Sequence, residues 1–206
     1  MIEKESLKDK IVKILMQKII NQEIKTGEKL KEAHLAKEFG VSQAPVREAI
    51  ISLVSLGILE HQVNVGASVK VYTNKEIIEI YEARDALERY AVSNIRNFEK
   101  IGLMKYSYNN MLEAVKNNNI KEYVINDKVF HESLVSMSEN QLILDLWKQQ
   151  YTKSSVIDVV NKLESSLEDI VSLHLPIIKA VETNVLLRCV MSVEHHYEEI
   201  INKIKG

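Results

Sequence analysis

A single cysteine, Cys189, excludes an internal disulfide and fits a reducing compartment. It sits in an apolar run, as a small buried hydrophobe does, rather than in the setting of a nucleophile. Breakers are scarce: two prolines and six glycines in 206 residues, with Pro45, Gly27, Gly40, Gly57 and Gly66 all within the first 66. Beyond that point the near absence of breakers predicts long helices. No apolar run approaches the ~18 residues of a membrane span. Charge begins at Glu3, so no secretory signal is expected either. The expectation is a cytoplasmic protein with no membrane partner. A hydrophobic content of 46% with 27% charged residues is ordinary for a globular chain, and the length suits two domains.

What is present is unevenly spread. Net charge is −2, yet residues 1–75 hold twelve Lys and Arg against nine Asp and Glu, while residues 76–206 hold fifteen against twenty. A weakly basic front on an acidic body suits a nucleic-acid head with a different partner behind it.

In the front third, Ser6 caps a helix carrying Leu7, Ile11, Ile14, Leu15 and Ile19 at helical spacing, closed by Thr26-Gly27. A second helix opens near Lys31, with Leu35 and Phe39 inward, and Gly40 supplies the left-handed residue that ends it. Ser42 caps a third helix whose first turn tolerates Pro45, because that N–H has no intrahelical partner. Val46, Ile50, Leu53 and Val54 face inward, leaving Gln43, Ala44 and Arg47 outward at the end where the helix dipole favours phosphate. A short helix, a glycine turn and a helix with a polar opening turn make a helix-turn-helix, whose second helix enters the DNA major groove. Ile58-Leu59-Glu60-His61-Gln62 and Ala67-Ser68-Val69-Lys70-Val71, joined through Asn64-Val65-Gly66, predict a β-hairpin wing.

The run Ile24-x-x-Gly27-x-x-Leu30-x-Glu32-x-x-Leu35-Ala36-x-x-Phe39-Gly40-Val41-Ser42-x-x-Pro45-Val46-Arg47-Glu48-Ala49, with Leu53, Gly57, Gly66 and Val69, resembles the GntR family of bacterial transcription regulators. The resemblance implies that Ser42, Gln43, Ala44 and Arg47, with Asn64 and Gly66 of the wing, face double-stranded operator DNA. Arg47 is the principal contact expected; the alternative is a surface arginine paired with Glu48 or a nearby carboxylate. The family usually has Arg where this chain has Gln43, and basic residues where this wing has Gln62-Val63-Asn64-Val65. Arg reads guanine and Gln suits adenine, so the operator is expected to differ accordingly. Fewer phosphate contacts imply weaker, less salt-sensitive binding.

Tyr72-Thr73-Asn74-Lys75 reads as the boundary, giving a winged helix over 1–72 and a helical domain over 76–206. Asn74 is expected to cap a long helix from Lys75 to Phe98, with Ile77, Ile80, Tyr81, Arg84, Leu87, Glu88 and Ala91 on one side. Further helices are predicted over 99–117, 120–137, 140–161, 165–183 and 184–204, broken at Asn117-Asn118-Asn119 and Ser138-Glu139-Asn140. The fold class is mainly α: three helices and a hairpin wing in front, an all-α bundle of about six helices behind.

Asp127 and His131 lie four apart on one helix face, and His174 and His196 (or its neighbour His195) follow. Three imidazoles and a carboxylate suit zinc, nickel or manganese, though scattered histidines are more often core or surface residues. Asp127-x-x-Phe130-His131 before Asn140, then His174 and His196, with Arg84-x-x-Leu87-Glu88 ahead, resembles the FCD effector domain of FadR-type regulators. The resemblance implies a divalent metal on Asp127, His131, His174 and His196, with a small organic acid at or beside it. Arg84 is either a pocket arginine for that carboxylate or an ion-pair partner of Glu88.

The function expected is therefore a homodimeric DNA-binding transcriptional regulator, a repressor rather than an enzyme. It would bind a pseudo-palindromic operator under control of a metal-associated carboxylate effector. One alternative keeps the regulator but makes the metal purely structural. Another is a metal-dependent hydrolase with Glu132 or Glu194 as base.

Overall fold

The structure is a computed structural model describing residues 6–62, 66–160 and 167–205. The chain divides into two compact units, one holding Met1–Tyr72 and Val156–Val160, the other Thr73–Ser155 and Asn161–Gly206.

In the first unit, α1 (Leu7–Ile20) starts at Ser6, whose side chain accepts the Asp9 N–H at 3.1 Å. Ile11, Leu15 and Ile19 bury one stripe of it, while Leu7 and Ile14 stay exposed. β1 (Lys29–Leu30) precedes α2 (Glu32–Phe39), which ends at Gly40 with φ of +66°. A side chain at that angle costs roughly 1–2 kcal/mol, so glycine is the natural stop. α3 (Gln43–Ser55) follows Ser42, which holds the cap position in extended conformation but makes no side-chain capping bond. Val46, Ala49, Ile50 and Leu53 join the α1 stripe in one core; each large aliphatic buried this way contributes roughly 1.5–3 kcal/mol.

β2 (Leu59–Gln62) and β3 (Gly66–Val69) form the expected hairpin, and β1 adds a third strand in the order β1-β3-β2. Both pairings are antiparallel, with Lys29 opposite Ser68 and Leu59 opposite Val69. The sequence predicts two strands only. At two residues, β1 is too short for alternation to declare itself.

The second unit is helical. α4 (Asn74–Ser93) is capped by Thr73 rather than Asn74: the Thr73 hydroxyl accepts the Glu76 N–H and the Glu76 carboxylate accepts the Thr73 N–H, a reciprocal capping box. Asn74 instead donates its side-chain amide to the Ile204 carbonyl at 3.4 Å. α4 also stops five residues before Phe98, and the Arg96 and Asn97 N–H groups turn to the Met137 carbonyl.

α5 (Ile101–Lys116), α6 (Ile120–Ser136) and α7 (Gln141–Val160) follow, separated by left-handed Asn118 and Glu139. Asn140 accepts the Ile143 N–H and so caps α7. The helix predicted over 165–183 is two, α8 (Leu167–Ser172) and α9 (His174–Thr183), with α10 (Leu186–Lys205) last. Pro176 lies in the first turn of α9, where its missing N–H leaves no bond unmade. α5 and α6 pack along each other, and α4 lies against α10 and α6. Among the described residues no helix is long and apolar enough to cross a membrane.

Candidate functional site

In the first unit the opening turn of α3 presents Ser42, Gln43, Ala44 and Arg47 to solvent, because Val46, Ala49 and Ile50 take the opposite face. The Arg47 Nε donates to Glu32 on α2 at 2.9 Å, not to Glu48. Gly66 is exposed at the start of β3, with φ of +101°. Asn64 lies outside the described residues.

In the second unit, α6 supplies Asp127 and His131, α9 opens with His174, and α10 supplies His196. All four are buried, whereas His195 is exposed, as the helical turn between neighbours requires. Ligand nitrogens of the three buried imidazoles lie within 4.8 Å of one another. The His131 Nε2 is 3.1 Å from the His174 Nε2, and Asp127 Oδ1 lies 3.1 Å from the second and 3.6 Å from the first. Donors at ~2.0–2.1 Å from one ion stand roughly 3.3 Å apart in a tetrahedron; the three imidazoles form the group close enough to share a divalent cation, with Asp127 beside His131 and His174.

Two of the rings are held from behind. The His131 Nδ1 meets Glu88 Oε2 at 2.8 Å, and the His174 Nδ1 meets the Ile170 and Val171 carbonyls at 3.1 and 3.2 Å. A carbonyl or an ionised carboxylate only accepts, so each ring donates from Nδ1 and turns Nε2 to the centre. The His196 Nδ1 is buried with no hydrogen-bond partner, an exception to the usual pairing of buried polar atoms.

The electrostatics favour a cation here. Burial opposes the His131 imidazolium, but the Glu88 and Asp127 carboxylates outweigh it and raise its pKa to about 9. Burial would raise Asp127, yet His131 and His174 hold it well below its ordinary value. Glu88 is lowered against burial by His131 and Arg84. Burial, aided by His174 and His131, pushes His196 well down, leaving the neutral imidazole that a metal requires.

Arg84 on α4 is buried beside this centre. Its guanidinium carbon lies 4.9 Å from the Tyr151 ring and 5.4, 5.7 and 6.0 Å from the rings of Tyr197, Tyr81 and Trp147. Nη1 donates to the Ser154 hydroxyl at 2.9 Å, Nη2 stands 3.7 Å from Glu88, and Nε is buried without a hydrogen-bond partner. The ion pair with Glu88 is therefore loose, and the fork keeps donor capacity.

In the sequence Glu88 reads as a residue on one side of α4 within the Arg84-x-x-Leu87-Glu88 motif and as a possible partner of Arg84. Its bonds to His131, Trp147 and Tyr197 come from three other helices and are invisible along the chain. The available signal was a second charged residue on the buried stripe of α4.

A winged helix followed by an all-α unit with a buried histidine centre is the two-unit build of a DNA-binding transcriptional regulator. Residues 7–69 match the bacterial regulatory proteins of the gntR family, and residues 79–199 match the FCD domain. The chain belongs to the GntR family and carries an FCD effector-binding domain. It is 28% identical over 173 residues to a probable D-xylose utilization operon transcriptional repressor of Paenarthrobacter nicotinovorans, covering 82% of this chain and 75% of that one. It is 29% identical over 206 residues to the gluconate operon transcriptional repressor of Bacillus licheniformis, covering 93% and 82%. A GntR regulator structure from Rhodococcus sp. RHA1 shares the fold, with a TM-score of 0.85 at 20% identity over 98% of this chain and 99% of that one.

Proposed function

We propose that this regulator is a homodimeric repressor whose hold on its operator is set by a small organic acid. The acid would bind at or beside a divalent ion held by Asp127, His131, His174 and His196. The observation that carries this reading is the convergence of three buried imidazoles and a carboxylate in a chain that also bears a winged helix. With neutral imidazoles, a divalent ion and Arg84 outweigh the Asp127 and Glu88 carboxylates by one positive charge. A buried excess charge is costly, and an effector carboxylate would neutralise it while filling the open donors of Arg84. Gluconate, which names the operon that one relative represses, is a carboxylate of this kind.

On the DNA side, Ser42, Gln43, Ala44 and Arg47 would read the major groove, with Asn64 and Gly66 of the wing against the backbone. Acid binding would shift the bundle between two arrangements of different operator affinity.

A purely structural metal is the second reading, favoured by the closure of the centre: all four ligand side chains are buried. Four protein ligands complete a zinc tetrahedron, whereas nickel or manganese would keep positions open for the acid. Metal analysis of the purified protein and of the double variant His131→Ala/His174→Ala, with operator titrations in mono- and dicarboxylates, separates these readings. Stoichiometric metal in the parent alone, and acid-dependent operator affinity, are expected. Metal retained in full by the variant refutes the site; bound metal with no response to any acid supports the structural role.

A further inference from the structure

Glu88 is fully buried on α4 and shares its two oxygens between separate partners. Oε2 faces the His131 Nδ1 at 2.8 Å; Oε1 accepts the Trp147 indole N–H at 2.7 Å and the Tyr197 hydroxyl at 2.5 Å. Were Glu88 simply the counter-ion of Arg84, the two would close to a short, forked pair. They stay 3.7 Å apart, and the close contacts go to an imidazole, an indole and a phenol.

We propose that Glu88 is the positioning residue of the metal centre, and that it links occupancy of that centre to Trp147 on α7 and Tyr197 on α10. The inference rests on the metal reading above. The His131–Glu88 bond locks the ring so that Nε2 points at the ion, and the carboxylate raises the basicity of that nitrogen. An ion on Nε2 withdraws electron density from the ring, which makes Nδ1–H a stronger donor to Oε2. Glu88 is drawn toward His131, and its acceptance from Trp147 and Tyr197 weakens in step. Because Trp147 is the chain's single tryptophan, its emission reports that change directly.

The probe is cobalt(II), titrated into metal-free parent, Glu88→Gln and Trp147→Phe while visible absorption and tryptophan emission are followed. In the parent, the cobalt absorption and the Trp147 emission should change together. Glu88→Gln keeps the shape but loses the charge, so cobalt should bind about 10–100-fold more weakly and the emission response should flatten. Trp147→Phe spares the His131–Glu88 bond and removes a competitor for Glu88, so by reciprocity it should bind cobalt at least as tightly as the parent, and weaker binding would overturn the linkage.

Glu88→Gln binding cobalt as tightly as the parent overturns the proposal, even if its metal-free melting temperature drops, since that pattern marks a structural role only. Should Glu88→Gln not fold, imidazole ¹H–¹⁵N correlation spectra of the zinc-loaded parent decide. A His131 proton on Nδ1 with metal on Nε2 supports the role, and the opposite arrangement ends it. A parent that takes up no cobalt overturns the metal reading and this inference together. A parent that binds while Glu88→Gln binds equally well overturns the role of Glu88 alone.

Discussion

Arg47 and Glu32 form an exposed ion pair at 2.9 Å. Pairs of this kind contribute less than about 1 kcal/mol, whereas a forked arginine–guanine contact discriminates by roughly 1–3 kcal/mol. The guanidinium is therefore oriented by Glu32 without being retained by it. Arg47→Ala should leave the melting temperature nearly unchanged and weaken operator binding about 10-fold or more per half-site. Mobility-shift titrations on operator and scrambled duplexes check this; an equal loss on both would reduce Arg47 to a phosphate contact. The residue type and its place on α3 were legible from helical spacing. Its partner was not, because Glu32 sits fifteen residues earlier on another helix and Glu48 was the nearer candidate in sequence.

Helices declared themselves by period, and their ends depended on which of two neighbouring residues won the cap. Thr73 and Asn74 both have the chemistry, but only Thr73 has Glu76 three residues on to complete a reciprocal box. Thr73→Ala should destabilise the second unit by about 1 kcal/mol, and Asn74→Ala by distinctly less, in urea unfolding. A larger cost for Asn74→Ala would return the cap to Asn74. The break between α8 and α9 was missed for a related reason. Leu173 carries no strong stop signal, and the backbone there is held partly by the His174 ring bonding back to Ile170 and Val171. β1 stayed hidden because two residues gain strand character only from β3 beside them.

Across the whole molecule, the centre links stability to pH and, on the proposed metal reading, to metal as well. The raised pKa of His131, about 9 against an ordinary 6.5, means its contribution is fully present below pH 6.5 and lost as pH rises through about 9. Asp127 and Glu88, both lowered, contribute above the ordinary carboxylate range, and that stability is lost as pH falls through their depressed values. On that reading an ion would replace the His131 proton, so its affinity would grow as the proton leaves. Thermal melts with chelator and with zinc should therefore separate progressively between pH 6.5 and 9. A gap that stays constant over that range would mean the ion does not displace the proton.

Spacing alone determined the winged helix, the long helices behind it and the placement of Asp127 and His131 on one face, because helix and turn chemistry act over a few residues. The sequence also offered His174 and His196 or His195, and the resemblance chose His196 and joined them to that pair as one ligand set. Tertiary structure alone decided that these groups converge, that Glu88 backs His131, and that Arg84 lies among four aromatic rings. The Glu88–His131 and His131–His174 contacts each join residues 43 positions apart. They exist because buried polar groups must find partners wherever packing brings helices together, and local sequence carries no record of that meeting.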